Sequence, residues 1–122
     1  LEDRLLDGEM VALMCDRLPP NARTKTKQIS FLNDHAEFPI NPWVFCNLMK
    51  RPVLFAISVR LGTLKYRIYL EEFLSEGDYS FDDRSIYVNN CVSKYSRILE
   101  KYCILHPLQW FNFFDFWKIN ER

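Results

Sequence analysis

At 122 residues the chain is long enough for one domain with a modest hydrophobic core. Hydrophobic residues make up 48% of it and charged residues 26%, a balance that excludes a largely disordered chain. Sixteen Lys and Arg balance sixteen Asp and Glu, so the chain lacks the basic field of nucleic-acid-binding domains, and we expect no nucleic-acid partner.

The first predicted element is a short strand. The unbroken apolar run at residues 10–15 is typical of a strand buried on both faces. Asp16-Arg17 follows it, and the double proline at 19–20 cannot continue a hydrogen-bonded ladder. Residues 21–27 form a polar, basic loop, residues 28–32 predict a second strand, and Asn33-Asp34 predicts a turn.

A helix and a hairpin are predicted next. Asn41 as N-cap and Pro42 at the first helical position predict a helix through residue 49, apolar nearly all round and therefore buried. Residues 53–59 predict a second fully buried strand. Residues 65–71 alternate, which predicts a hairpin whose second strand lies at the sheet margin. One face of that strand carries Tyr66, Ile68 and Leu70, and the other carries Arg67 and Tyr69.

The clearest periodicity predicts a long helix over residues 85–105, with Asp82 or Asp83 as N-cap and Pro107 ending it. Its apolar positions recur at three- and four-residue steps: Val88, Cys91, Tyr95, Ile98, Tyr102 and Leu105. The elements together predict an α/β fold with helices on both faces of a mixed sheet. Because such a sheet needs more strands than the chain supplies, we expect residues 1–122 to be part of a larger domain.

The cysteines predict neither a disulfide framework nor a metal centre. They are widely spaced among apolar residues and contain no C-x-x-C, as expected of buried thiols in a reducing compartment. Cys103 and His106 have C-x-x-H spacing but lack two further ligands. No apolar run reaches the roughly 18–20 residues that would span a bilayer.

Four stretches carry a resemblance to a known family. Residues 8–17 (GEMVALMCDR) resemble the family segment before the loop over the acceptor phosphate. Residues 29–32 (ISFL) with 36–39 (AEFP) resemble the segment leading into a buried helix. Residues 51–57 (RPVLFAI) and 106–110 (HPLQW) resemble two later proline-containing motifs. In this order they resemble the C-terminal half of a bacterial acyltransferase of the lysophospholipid acyltransferase superfamily, lipid A lauroyl or myristoyl type.

The resemblance implies the function. An acyl group would pass from a thioester donor, acyl-ACP or acyl-CoA, to a lipid or glycolipid hydroxyl at the cytoplasmic face of the bacterial inner membrane, without a cofactor. The family's His-x4-Asp motif, in which His is the general base, lies upstream of all these segments. Neither His35, followed five residues later by Ile40, nor His106, followed by Phe111, supplies it. We therefore expect this chain alone to be inactive.

The candidate binding residues lie near the first predicted strand. Arg17 would hold a phosphate or carboxylate while Asp16 fixes the loop; the alternative is an ion pair that closes a turn. Arg23, Lys25 and Lys27 would face one side of an extended segment and suit anionic head groups or an acidic acyl carrier protein; the alternative is a solvated loop.

The C-terminal segment permits more than one interpretation. His106 at a helix end indicates capping rather than catalysis. If the tail is helical, one face carries Trp110, Phe113, Phe114 and Trp117. That face would suit either a membrane interface or packing on the rest of the domain, and Phe111 and Phe116 on the other side favour burial. Asn112 and Asp115 replace the basic run that follows Gln-Trp in lipid A enzymes, which indicates another acceptor. For the chain as a whole, a non-catalytic module that binds lipid or acyl carrier protein, or an inactive remnant, would also explain the missing histidine.

Overall fold

The computed structural model describes residues 2–18, 24–79, 83–113 and 115–117. The predicted α/β class is confirmed, because helices alternate with strands that form two separate two-stranded antiparallel sheets. In chain order the elements are α1 (Glu2–Leu6), β1 (Thr26–Phe31), β2 (Asp34–Pro39), α2 (Asn41–Met49), β3 (Val53–Gly62), β4 (Lys65–Leu74), a 3-10 turn (Glu76–Tyr79) and α3 (Arg84–Leu105).

The first hairpin joins β1 to β2. Leu32 and Asn33 form its two-residue turn, and both have positive φ, 51° and 66°, the backbone geometry of a type I′ turn. The predicted strand at 28–32 is confirmed, but the turn lies one residue earlier than predicted and β2 was missed. Leu32 N–H donates to Glu100 Oε1 of α3 at 2.9 Å, which fixes the hairpin against the long helix.

The second hairpin, β3–β4, matches the prediction in position and alternation. The prediction that residues 53–59 are buried on both faces was wrong. Only alternate β3 side chains, Phe55 and Val59, are fully buried, because a two-stranded sheet covered on one side leaves its other face in solvent. That open face carries Leu54 and Leu70.

The helix α2 has the predicted bounds but not the predicted surroundings. Asn41 is helical and is not the N-cap; Ile40 occupies that position, and no side chain caps the helix. Only Trp43 is fully buried, and Leu48 is largely exposed. The expected full burial was wrong: residues 44–47 are only half-buried, so the helix packs on the core through Trp43 and stays partly accessible elsewhere.

The helix α3 confirms its prediction closely. Asp83 accepts hydrogen bonds from the backbone N–H of Ser85 and of Ile86, satisfying two N–H groups that the first helical turn leaves unpaired. Most of the predicted stripe is buried or half-buried, whereas Leu105 is exposed and Ser96, predicted to face outward, is buried.

Aromatic rings connect both hairpins to α3. Phe31 lies 5.4 Å from Phe38 and 5.3 Å from Trp110, measured between ring centroids. Trp43 stacks on Phe73 at 5.0 Å and reaches Tyr95 of α3 at 5.5 Å. Such pairs add stability beyond the area they bury, so this network forms the core.

Residues 10–15 form no strand, and that prediction was wrong. Met10 is 95% exposed, and Leu13 and Met14 also face solvent, whereas Cys15 and Asp16 are buried. A strand exists only when a neighbouring strand accepts its backbone hydrogen bonds. No such neighbour lies beside this segment in the described part of the chain.

Candidate functional site

The predicted pair Asp16-Arg17 lies where the N-terminal segment meets the segment after α3. Asp16 is only 6% exposed, and its Oδ2 accepts a hydrogen bond from Trp110 Nε1 at 3.2 Å. These residues are 94 positions apart in the chain. Buried polar groups are generally hydrogen-bonded, and this bond joins the N-terminal segment to the segment after α3; that Asp16 fixes the loop following it stays a prediction.

Arg17 extends the same junction toward solvent. Its Nε lies 3.5 Å from Asp16 Oδ2, and its Nη2 donates to the carbonyl oxygen of Phe111 at 2.9 Å. The Arg17 side chain is 32% exposed. The ion pair that would close a turn is therefore present, and the cation is also accessible at the surface. The geometry accommodates both predicted roles.

The surroundings of Asp16 are poor in water. Burial, followed by the nearby Cys46 and Asp16, raises the pKa of Cys15 to about 12. Burial and then the Asp16 charge raise the pKa of Cys103 to about 11, and the same two causes, in that order, raise the pKa of Tyr95. The raised pKa values keep all three groups protonated at neutral pH, in line with their position in the core or packed against it.

The predicted basic loop is only partly described. Arg23 lies outside the described residues. Lys25 is exposed just before β1, and its carbonyl accepts from Ile40 N–H at 3.1 Å. Lys27 lies in β1 opposite the buried Phe38 and is half-buried. Whether these lysines bind an anion therefore remains a prediction.

The segment after α3 does not form a helical tail. His106 is the C-cap of α3, and its backbone N–H donates to Tyr102 O at 2.9 Å, which agrees with the capping role. From Trp110 onward the described residues are not helical. Phe116 is buried as predicted, but Phe111 is exposed, contrary to prediction; its ring stacks on that of Phe113 at 6.3 Å, and its backbone carbonyl accepts from Arg17.

Gln109 and Trp110 were not predicted as site residues. Gln109 Oε1 accepts from Arg60 N–H at 2.7 Å, while Gln109 Nε2 donates to Arg60 O at 3.0 Å. Trp110 is the hydrogen-bond donor to the buried Asp16. Local spacing gives no sign of either contact, because the partners come from distant parts of the chain.

A separate open pocket of about 170 Å³ includes none of the predicted site residues. It lies between β4 and the first half of α3. Its lining residues are Leu74, Asp78, Tyr87, Asn90, Cys91 and Lys94.

Over the described ranges, no three His, Cys, Asp or Glu side chains come together as metal ligands would. No helix in those ranges combines the length and apolar character needed to cross a bilayer. The chain matches none of the protein-family models, curated proteins or solved structures with which it was compared.

Proposed function

We propose that this chain is the acceptor-side portion of an acyltransferase domain that acts at the cytoplasmic face of a bacterial inner membrane. The acceptor is a lipid or glycolipid hydroxyl, and the donor is acyl-ACP or acyl-CoA. The acceptor oxygen forms the new ester bond, the thioester C–S bond breaks, and the hydroxyl proton passes through a base to the leaving thiol. That base, the histidine of a His-x4-Asp motif, would come from sequence outside these 122 residues.

One observation carries the proposal. Two of the segments that resemble the family, Asp16-Arg17 and Gln109-Trp110, are far apart in sequence and adjacent in the structure. A resemblance by chance would give no reason for these motifs to touch. In the proposed site Asp16 holds the loop, and Arg17 presents a cation to a phosphate or carboxylate of the acceptor.

The largely exposed segment 10–14 also supports a larger domain. An apolar segment such as Met10 to Met14 is seldom left in water next to a buried carboxylate. If further strands lie beside it, as in the sheet with helices on both faces that we predicted, the segment becomes the buried strand that its sequence indicates.

The test begins with the nucleotide sequence upstream of the Leu1 codon, where we expect a His-x4-Asp motif. The complete product should transfer radiolabelled acyl groups from acyl-ACP or acyl-CoA to membrane lipids. Arg17→Ala should lower kcat/KM roughly 10- to 100-fold, the value of a charge-assisted hydrogen bond, and Arg17→Lys should recover part of the loss. Arg4→Ala is the control, because Arg4 is exposed and its guanidinium pairs with Glu9, five residues further along the chain.

The outcomes separate the parts of the proposal. Absence of acyl transfer by the complete product rejects the enzyme. Transfer that Arg17→Ala leaves unchanged rejects the role of Arg17 and leaves the reaction class standing.

A non-catalytic module that binds lipid or acyl carrier protein is the second candidate. It is favoured by the missing His-x4-Asp motif and by the exposed Lys25 near β1. It predicts salt-sensitive binding of the 122-residue chain to acyl carrier protein or anionic vesicles, together with no histidine motif upstream. Lack of binding at low salt would exclude it.

A further inference from the structure

The turn end of the β3–β4 hairpin combines exposed apolar residues with cations. We call residues 60–67 the hairpin tip. Leu64 is 92% exposed at the turn, between the paired Gly62 and Lys65. All eight residues of the tip are exposed, and the large apolar or charged side chains among them are Arg60, Leu61, Leu64, Lys65, Tyr66 and Arg67.

The tip carries only positive charge. Between residues 53 and 70 the chain has three cations and no Asp or Glu. The first acids of the hairpin, Glu71 and Glu72, lie toward its other end, opposite Phe55 and Leu54. The charge therefore changes sign along the hairpin, which gives it one end suited to an anionic surface.

Leu64 is not explained by the fold. Its φ of 56° lies in the left-handed region, where Gly and Asn are favoured and a leucine is strained. Its side chain gains no burial that would offset this strain. A large apolar side chain kept at a strained, fully exposed turn indicates a contact outside the chain.

The tip is also held in place. The Gln109 side chain makes two hydrogen bonds to the backbone of Arg60, and Arg60 Nε donates to Gly62 O at 3.0 Å. Leu108, next to Gln109, is 89% exposed and adds another apolar side chain at this end of the molecule. A preorganised apolar surface loses little conformational entropy on binding.

We propose that the hairpin tip is the membrane contact of this protein and that its partner is an anionic phospholipid bilayer. Leu61 and Leu64 enter the interface between head groups and acyl chains, and Lys65 and Arg67 contact lipid phosphates. This inference rests on the membrane location in the proposed function and names the element responsible for it. A protein partner would not require the tip to lack acids, whereas an anionic bilayer does.

The test is co-sedimentation of the 122-residue chain with phosphatidylglycerol vesicles, with phosphatidylcholine vesicles for comparison. Leu64→Asn should weaken partitioning at least about tenfold, since burial of a leucine side chain is lost. Asn tolerates positive φ, so this variant should melt no lower than the parent. The matched control is Leu54→Asn, an exposed leucine on the same hairpin about 27 Å along the strand from Leu64.

The control has its own decisive outcomes. Unchanged binding by Leu54→Asn is expected. Equal loss in both leucine variants would overturn the proposal, because the whole open face of the sheet, and not the tip, would then be the contact. Undiminished binding by Leu64→Asn would overturn it as well.

A charge variant provides an independent check. Lys65→Gln and Arg67→Gln should each weaken binding to phosphatidylglycerol about fivefold and reduce its salt dependence. Equal binding to both vesicle types would reject the electrostatic part.

Failure of the tip does not imply failure of the enzyme: an extended product that transfers acyl groups while Leu64→Asn binds normally refutes the tip alone. Vesicle binding through the tip without acyl transfer refutes the enzyme alone.

Discussion

The hydrogen bond between Asp16 and Trp110 gives the sharpest test of how the two ends of the described chain are joined. Asp16 is buried, and its Oδ2 lies 3.2 Å from Trp110 Nε1, at the long end of the usual range. A hydrogen bond to a charged group contributes about 1.5–3 kcal/mol, so we take about 1.5 kcal/mol for this one. Trp110→Phe also leaves space beside Phe31 and Phe116, whose ring centroids lie 5.3 and 4.9 Å from that of Trp110.

The assay is a double-mutant cycle with Asp16→Leu, in which both partners become apolar. Trp110→Phe should lower the free energy of unfolding by about 2.5 kcal/mol in the parent chain, with about 1 kcal/mol coming from lost packing. With Leu at position 16, the same substitution should cost only that packing part. The coupling energy of about 1.5 kcal/mol is measured by urea unfolding followed by far-ultraviolet circular dichroism. An equal cost in both backgrounds would refute the argument, because the bond would then contribute nothing.

Two further predictions concern titration. The hydrogen bond from Tyr102 and then that from Lys101 lower the pKa of Glu71 below its ordinary 4.5. The stability that this shift contributes is present above the unfolded pKa of Glu71 and is lost as the pH falls through the lower folded pKa. In the Glu71→Gln variant, the free energy of unfolding, measured with urea, should therefore fall less steeply as the pH is lowered into the acid range. An unchanged slope would contradict this. Burial raises the pKa of Cys15 to about 12 and that of Cys46 to about 11. Iodoacetamide at neutral pH should therefore alkylate both thiols much more slowly in the folded chain than in the urea-unfolded chain, as followed by mass spectrometry, and equal rates would contradict this prediction.

The elements that were predicted well depend on local signals. The helix α3 has an apolar stripe over about five turns and an aspartate immediately before its first residue, so Asp83 could be recognised without any tertiary contact. The β3–β4 hairpin shows its alternation within one strand. The missed strand β2 lacks such a pattern, because Pro39 and Glu37 are atypical of strands and its pairing with β1 supplies the missing stability.

The site was predicted less completely, for a different reason. Asp16 and Arg17 were found because they follow an apolar run, but their partners lie 94 residues later. No periodicity links such positions; only the folded chain does. The strand predicted at residues 10–15 failed for a related reason. The apolar composition predicts a strand, but composition cannot show whether a neighbouring strand is present to pair with it.

Residues 10–14 and the hairpin tip, two of the exposed apolar regions, differ in charge, which supports separate explanations for them. Residues 10–14 follow Asp7 and Glu9, an acidic setting that an anionic bilayer would repel, so a protein surface is the better cover. The charged residues of the hairpin tip are all cations.

Three consecutive residues after α3 nevertheless connect these regions: Gln109 holds the tip, Trp110 holds Asp16, and the carbonyl of Phe111 holds Arg17. If the tip rests on the bilayer, this short segment fixes Arg17 relative to the membrane. An enzyme that acts on a lipid with a phosphorylated or carboxylated head group requires a fixed distance between Arg17 and the membrane. In the proposed site Arg17 holds the head group, and the reacting hydroxyl of the lipid must then lie at the same depth as the catalytic base.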